Sequence, residues 1–159
     1  MMKACVVSGS FDPVTIGHMD IIRRAKEIFD RVYVVMLINP EKSYFFSLDQ
    51  RMAMLRAAAG KIAIVDFYDG YTVDYCQSKG VKHIVRGIRD VESYPYENRI
   101  NEINMSINPE ISTVYFPSDP KLKEISSTLI RDTLSKGGDL SAYVPEEILK
   151  MIGEYYGKH

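Results

Sequence analysis

The stretch Val6-Val7-Ser8-Gly9-Ser10-Phe11-Asp12-Pro13-Val14-Thr15-Ile16-Gly17-His18 decides the reading of this chain. It leaves an apolar, β-favouring segment (Ala4 to Val7), passes through a turn, and enters an amphipathic helix. Gly9 and Asp12-Pro13 break the direction, and from Ile16 the apolar residues recur at helical spacing: Ile21, Ile22, Ala25, Ile28 and Phe29. Thr15, Gly17 and His18 therefore fall near the first helical turn, where unpaired N–H groups and the positive end of the dipole attract anions. Gly9 and Gly17 lack a Cβ and leave the backbone open to a phosphate, while Ser10, Thr15 and His18 offer further hydrogen bonds. The stretch contains neither G-x-G-x-x-G nor G-K-[ST].

Downstream, Arg31 to Ile38 is a nearly continuous apolar run, as expected of a strand covered on both faces. Ser47-Leu48-Asp49-Gln50 reads as a capping box opening a helix through Ala59, with Gly60 as its stop. Ile62 to Phe67 is a third strand, Thr72 to Lys79 a short helix ended by Gly80, and Val81 to Val85 a fourth strand. A long helix over Glu92 to Asn108, with Asn98, Asn101 and Asn104 on one face, precedes a fifth strand at Ile111 to Phe116. Ser126 opens another helix that stops at Gly137-Gly138, and Pro145 begins the last, through Tyr155. This alternation predicts an α/β, Rossmann-like single domain over 1–159: a five-stranded parallel sheet with helices on both faces. Ligands of such sheets bind at the carboxyl ends of the strands.

The composition narrows the partner. A chain of 159 residues, 46% hydrophobic and 26% charged, fits one globular domain. Its formal net charge of -1 argues against a general nucleic-acid binder and leaves room for a local basic pocket that takes a small anion. Cys5 and Cys76 form no C-x-x-C and are expected to be buried thiols. The start of the chain has no leader-like apolar segment. The longest apolar run, Val32 to Ile38, is far short of the ~20 residues of a membrane span. A cytoplasmic location with no membrane partner is expected.

Several side chains fit anion chemistry at those strand ends. His18 is suited to donate to a phosphate rather than to act as a nucleophile, since phosphoryl-type transfer rests on positioning and charge neutralisation. Lys42 follows the second strand's Asn-Pro turn and is either a solvated loop lysine or a phosphate contact. Arg86 and Arg89 frame a glycine straight after the fourth strand, a pair suited to bidentate phosphate recognition or to surface ion pairing. Ser126, Ser127 and Thr128 suit a helix cap, which is compatible with phosphate binding at the same terminus. Glu97 by itself reads as a solvated helix carboxylate, and Asp12 as either a metal ligand or, better, an Asx-turn residue. No carboxylate or histidine cluster has metal-ligand spacing, so no metal ligand is assigned.

G-S-F-D-P followed by T-x-G-H resembles the signature of the nucleotidyltransferase superfamily with a [H/T]-x-G-H motif. Arg86-Gly87-Ile88-Arg89 and Ile125-Ser126-Ser127-Thr128 with Arg131 narrow the resemblance to the bacterial phosphopantetheine adenylyltransferase family. The resemblance spans nearly the whole chain. It implies adenylyl transfer from ATP to 4′-phosphopantetheine, Mg²⁺ accompanying ATP, and a homohexamer. It implies His18, Lys42 and Ser10 as catalytic residues, with Ser10, Lys42, Thr72 and Arg86 on the acceptor. On the ATP side it implies Ser10, Phe11, His18, Gly87, Ile88, Arg89, Glu97 and the segment Leu122, Lys123, Glu124, Ile125, Ser126, Ser127, Thr128. Thr72 departs from the family's usual apolar residue, Ser10 from its usual Thr, and Ile16 from a frequent Asn. The alternatives are a superfamily relative acting on nicotinamide mononucleotide or glycerol 3-phosphate, and a nucleotide- or coenzyme-A-sensing module without chemistry. The joint presence of Ser10, His18 and Lys42 speaks against a sensor.

Overall fold

The order in which the chain lays down its strands fixes where a ligand can enter. A computed structural model describes residues 1–157; of the domain expected over 1–159, Lys158 and His159 lie outside the described residues. Strands β1 (Ala4–Gly9), β2 (Arg31–Ile38), β3 (Ile64–Asp69), β4 (His83–Ile88) and β5 (Ser112–Pro117) form one parallel sheet in the order β3-β2-β1-β4-β5. The chain builds outward from β1 to one edge and then returns to the other side. Carboxyl ends of β1 and β4 thus flank a topological switch point, the crevice where open α/β sheets take ligands.

Alternating side chains divide the sheet's two faces. Cys5, Val7, Val34 and Val85 join one core with α1 (Ile16–Ile28), α2 (Leu48–Ala59), α5 (Ser127–Ser135) and α6 (Glu146–Tyr156). Val6, Val35 and Ile84 face the other way, against α3 (Thr72–Lys79), and α4 (Tyr94–Ile107) crosses β4 and β5. The expected parallel sheet with helices on both faces is present. Cys5 and Cys76 are buried free thiols, each pushed up to about 12 by burial, for Cys5 with Cys76 adding to it.

Local signals were obeyed closely where caps set them. Ser47 and Gln50 close the expected capping box on α2, and Gly80 ends α3 in the left-handed conformation, φ 66°. Strand ends differ from expectation. β3 starts at Ile64 rather than Ile62, because Ile62 and Ala63 still hydrogen-bond back to Ala59. β4 runs from His83 to Ile88, so Arg86, Gly87 and Ile88 belong to the strand and do not follow it. Their pairing with Tyr115, Phe116 and Pro117 of β5 extends the ladder through residues whose polarity had suggested a loop. Gly87 has its own reason there, since a Cβ would stand 3.2 Å from Ile21 of α1.

Candidate active site

His18 is aimed by the cap of its own helix. Thr15, the N-cap of α1, accepts from the His18 backbone N–H through Oγ1 (3.1 Å), and its own N–H donates to His18 Nδ1 (3.0 Å). Nδ1 is therefore the acceptor of the neutral ring, and the proton sits on Nε2 as a free donor. The Phe11 ring meets the imidazole edge-on, with centroids 4.9 Å apart. Burial, then Arg89 and Arg86, hold the His18 pKa down to about 4. The ring is uncharged at neutral pH, with Nε2–H left to donate.

Around it lies a cavity of about 380 Å³ at the switch point. β1 and its turn contribute Ser10 and Phe11, β4 contributes Arg86 and Gly87, and Arg89 follows from the next loop. Lys42 arrives from the loop after β2, with Nζ donating to Ser10 Oγ at 3.1 Å. Leu122, Ile125, Ser126, Ser127 and Thr128 close the opposite wall, with Glu97 beside Arg86. Most residues singled out in the sequence thus meet in one place. Thr72 lines an adjoining cavity and pairs with Ser8, the two hydroxyl oxygens 2.9 Å apart. Neither cavity wall includes Ile88, Lys123 or Glu124: the Ile88 carbonyl accepts from Ser118 N–H, and Lys123 and Glu124 are exposed in the preceding turn.

Hydrogen-bond accounting shows which donors remain for a ligand. At α1, Ile16 N–H is taken by Tyr143 O and His18 N–H by Thr15, leaving Gly17 N–H as the free donor of that end. At α5, Ser126 Oγ caps Leu129 N–H and Ser127 Oγ donates to Pro13 O. The donors left there are chiefly the backbone N–H groups of Ser127 and Thr128, more than the hydroxyls. A Cβ on Gly17 would come no nearer than 3.4 Å to any atom, and one on Gly9 no nearer than 3.5 Å. Packing does not require glycine at either position, since a Cβ would meet its neighbours at ordinary van der Waals distance, and both glycines line the cavity an anion would enter.

Charge follows the same division. Arg86 gives Nε and Nη2 to Glu97 (2.8 and 3.0 Å) and Nη1 to Ser8 O (3.0 Å), which still leaves one N–H on each Nη. Lys42 and Arg89 have no carboxylate partner among the described residues and are the cavity's uncompensated cations.

One positioning residue, Arg51, escaped the sequence reading, and a second, Arg131, entered it only beside Ser126, Ser127 and Thr128, without its contact to the β1 turn. Arg51 is 2% exposed, stacks its guanidinium 3.8 Å from the centre of the Tyr44 ring, and donates to Phe46 O and Ser10 O. Arg131 donates to Asp12 O (2.8 Å). The carbonyls on either side of Phe11 are thereby clamped, and Phe11 itself holds φ 45°, a conformation that costs a non-glycine residue about 1–3 kcal/mol. Asp12 makes no local turn bond. Its carboxylate accepts from Phe45 and Phe46 N–H (2.8 and 3.0 Å), tying the Lys42 loop to the β1 turn. Only an arginine one turn into an otherwise apolar helix face hinted at Arg51.

A pH titration should report this arrangement. With the folded pKa near 4 against an ordinary 6.5, the unfolded state binds more protons in between. His18 therefore costs the ligand-free protein stability progressively as pH falls from about 6.5 to about 4. In an NMR titration the His18 ring should stay neutral to about pH 4 without ligand and titrate higher once a polyanion offsets Arg89 and Arg86. A ligand-free midpoint near 6.5 would refute the buried, cation-flanked setting.

Comparison with known proteins agrees with the geometry. A Cytidylyltransferase-like family model matches residues 6–133. The phosphopantetheine adenylyltransferase of Heliobacterium modesticaldum is 38% identical over 98% of this chain and 94% of its own. That of Campylobacter fetus is 39% identical over 96% and 97%, respectively. A crystal structure of a Vibrio parahaemolyticus protein assigned as a nicotinate-nucleotide adenylyltransferase superposes with a TM-score of 0.69, covering 97% of this chain and 93% of that one. At 19% identity, that last likeness concerns the fold.

Proposed function

We infer the activity of a chain that belongs to the Cytidylyltransferase-like family and, within it, to the phosphopantetheine adenylyltransferases. It is a nucleotidyltransferase that moves the adenylyl group of ATP to 4′-phosphopantetheine, giving dephospho-coenzyme A and pyrophosphate in coenzyme A biosynthesis. An oxygen of the acceptor's phosphate attacks the α-phosphorus in line, the bond from that phosphorus to the bridging oxygen breaks, and pyrophosphate leaves. The observation that carries this reading is the convergence of His18 Nε2, the Lys42–Ser10 pair and the N-termini of α1 and α5 on one cavity at the switch point. No side chain there is needed as a covalent nucleophile.

The free donors suggest the roles. His18 Nε2–H serves the α-phosphate as charge shifts onto its oxygens, while Gly17, Ser127 and Thr128 N–H groups take the β- and γ-phosphates. Lys42, Ser10 and the spare N–H groups of Arg86 take the acceptor's phosphate. Phe11, Gly87, Arg89, Glu97, Leu122 and the Ile125 to Thr128 segment wall the nucleotide side. Magnesium fits as a companion of the triphosphate. No group of three or more His, Cys, Asp or Glu side chains suited to a metal occurs among the described residues, and both Asp12 oxygens are engaged.

No helix among the described residues is long and apolar enough to cross a membrane, and a cytoplasmic location is proposed because the reaction draws on ATP. Tyr94, Tyr96, Ile103, Met105 and Ile107 leave α4 with an exposed apolar surface, which supports a homo-oligomer, a hexamer on the family resemblance. A monomer mass by sedimentation would exclude that assembly.

Pyrophosphate release tests the activity. It is expected with Mg·ATP and 4′-phosphopantetheine and not with CTP, nicotinamide mononucleotide or glycerol 3-phosphate. Comparable turnover of another pair would overturn the substrates, and binding without turnover would make the protein a sensor.

A further inference from the structure

The loop that delivers Lys42 is closed on itself just after β2. The Asn39 carbonyl accepts from Lys42 N–H (3.1 Å) and its Oδ1 from Glu41 N–H (3.0 Å), while Asn39 N–H donates to the Tyr44 hydroxyl (3.1 Å). The half-buried Tyr44 ring lies against the Arg51 guanidinium, 3.8 Å from the ring centre, and Lys42 Nζ stands over the same ring at 5.6 Å. The chain beyond it is fixed twice more. Asp12 takes the Phe45 and Phe46 N–H groups, and the Phe45 ring stacks on Tyr156 of α6, with centroids 5.6 Å and planes 26° apart. Tyr44 is thus a fixed surface, and Lys42 is an exposed side chain laid on it.

How Lys42 is held matters because of what it must keep. Fixing a long, flexible ammonium side chain at one point costs conformational entropy, so an anchor is needed. A carboxylate would supply one but would also offset the charge that draws a phosphate. Lys42 has no carboxylate partner among the described residues, although Glu41 precedes it in the chain. Instead its Nζ donates to Ser10 Oγ at 3.1 Å and stands within the ~6 Å over which a ring face attracts a cation. A neutral ring face steadies the ammonium without cancelling its charge, and the N–H groups not given to Ser10 stay open to a ligand. We propose that Tyr44 is a positioning residue of the transfer reaction, its ring face directing Lys42 Nζ to Ser10 and so preforming the contact to the acceptor's phosphate. This rests on the adenylyl-transfer reading above, in which Lys42 takes that phosphate.

Steady-state kinetics of the full chain tests this with Tyr44→Leu, Tyr44→Phe and a series of fluorinated phenylalanines at the same position. Tyr44→Leu removes the ring face and should raise the KM for 4′-phosphopantetheine roughly two- to fivefold, the size of a surface cation–π contact, while sparing the KM for ATP. Tyr44→Phe keeps the face and should stay close to wild type, because the Asn39 N–H it releases is exposed to water. Rings carrying successively more fluorines keep the shape and drain the negative charge of the face, so the acceptor KM should climb along the series. A merely structural ring would leave it flat. The series is repeated in the Lys42→Met background, with acceptor Kd read by calorimetry, to separate the two cations on the ring. It should be flat there, and a climb that persists would assign the effect to Arg51 and overturn the proposal. An acceptor KM unchanged in Tyr44→Leu and along the series overturns it as well, and if Tyr44→Leu does not fold, the fluorinated rings alone decide. Wild type that releases no pyrophosphate with 4′-phosphopantetheine would instead sink the transferase reading, and the role of Tyr44 with it.

Discussion

His18→Ala is expected to lower kcat by about a hundred- to a thousandfold, ~3–4 kcal/mol of transition-state stabilisation, while ATP binding changes little. The size follows from what the side chain is arranged to do. Thr15 N–H fixes the ring and its tautomer, and the low pKa keeps the ring neutral, so Nε2–H is oriented toward the cavity before any substrate arrives. A preoriented neutral donor strengthens as negative charge grows on the α-phosphate oxygens, and so contributes more to the transition state than to the ground state. Ground-state affinity for the triphosphate comes mostly from groups the substitution leaves alone: Gly17 N–H, the N-terminus of α5, and Arg89. The helix survives too, because the backbone N–H at position 18 still reaches Thr15 Oγ1. Turnover measured beside calorimetric ATP binding separates the two effects. A kcat reduced less than about tenfold would remove His18 from the transition state.

The parts legible in the sequence were those that depend on neighbours in the chain. Apolar periodicity on either side of the Ser8 to Pro13 turn gave β1 and α1, and Ser47 with Gln50 gave the start of α2 to the residue. His18 was visible through its place after Gly17, although its reciprocal cap with Thr15, which orients it, was not. The strand ends were harder, and for a functional reason. The carboxyl ends of β1 and β4 carry Ser8, Gly9, Arg86 and Gly87, polar or small residues that serve the crevice and weaken the β signal. What remained hidden depends on contacts between distant segments. Arg51 reaches Ser10 across 41 residues and Arg131 reaches Asp12 across 119, and no local pattern records either. The asparagine stripe was visible, but only the packing of α4 over β5 shows that Asn101 faces a buried hydroxyl from Thr113.

Asp12→Ala should cost on the order of 3 kcal/mol of folding stability, seen as a lower urea midpoint with an unchanged m-value. The carboxylate is 5% exposed and accepts two backbone N–H bonds, from Phe45 and Phe46. Its removal strands the Phe46 donor in a buried environment and leaves Arg131 without a carboxylate, bonded only to the Asp12 carbonyl and Thr128 Oγ1. Asp12→Asn should fall between, since an amide offers one acceptor oxygen and turns an NH₂ toward the other donor. The same pair of variants separates a structural tie from a metal ligand. A tie predicts that the magnesium dependence of turnover stays as in wild type while stability falls, whereas a ligand predicts the reverse. The catalytic consequence should appear in the acceptor KM, because Phe45 and Phe46 anchor the loop that brings Lys42 to Ser10. A stability loss below about 1 kcal/mol in Asp12→Ala would mean that the loop is held by Arg51 and the packing of Phe46 without the carboxylate.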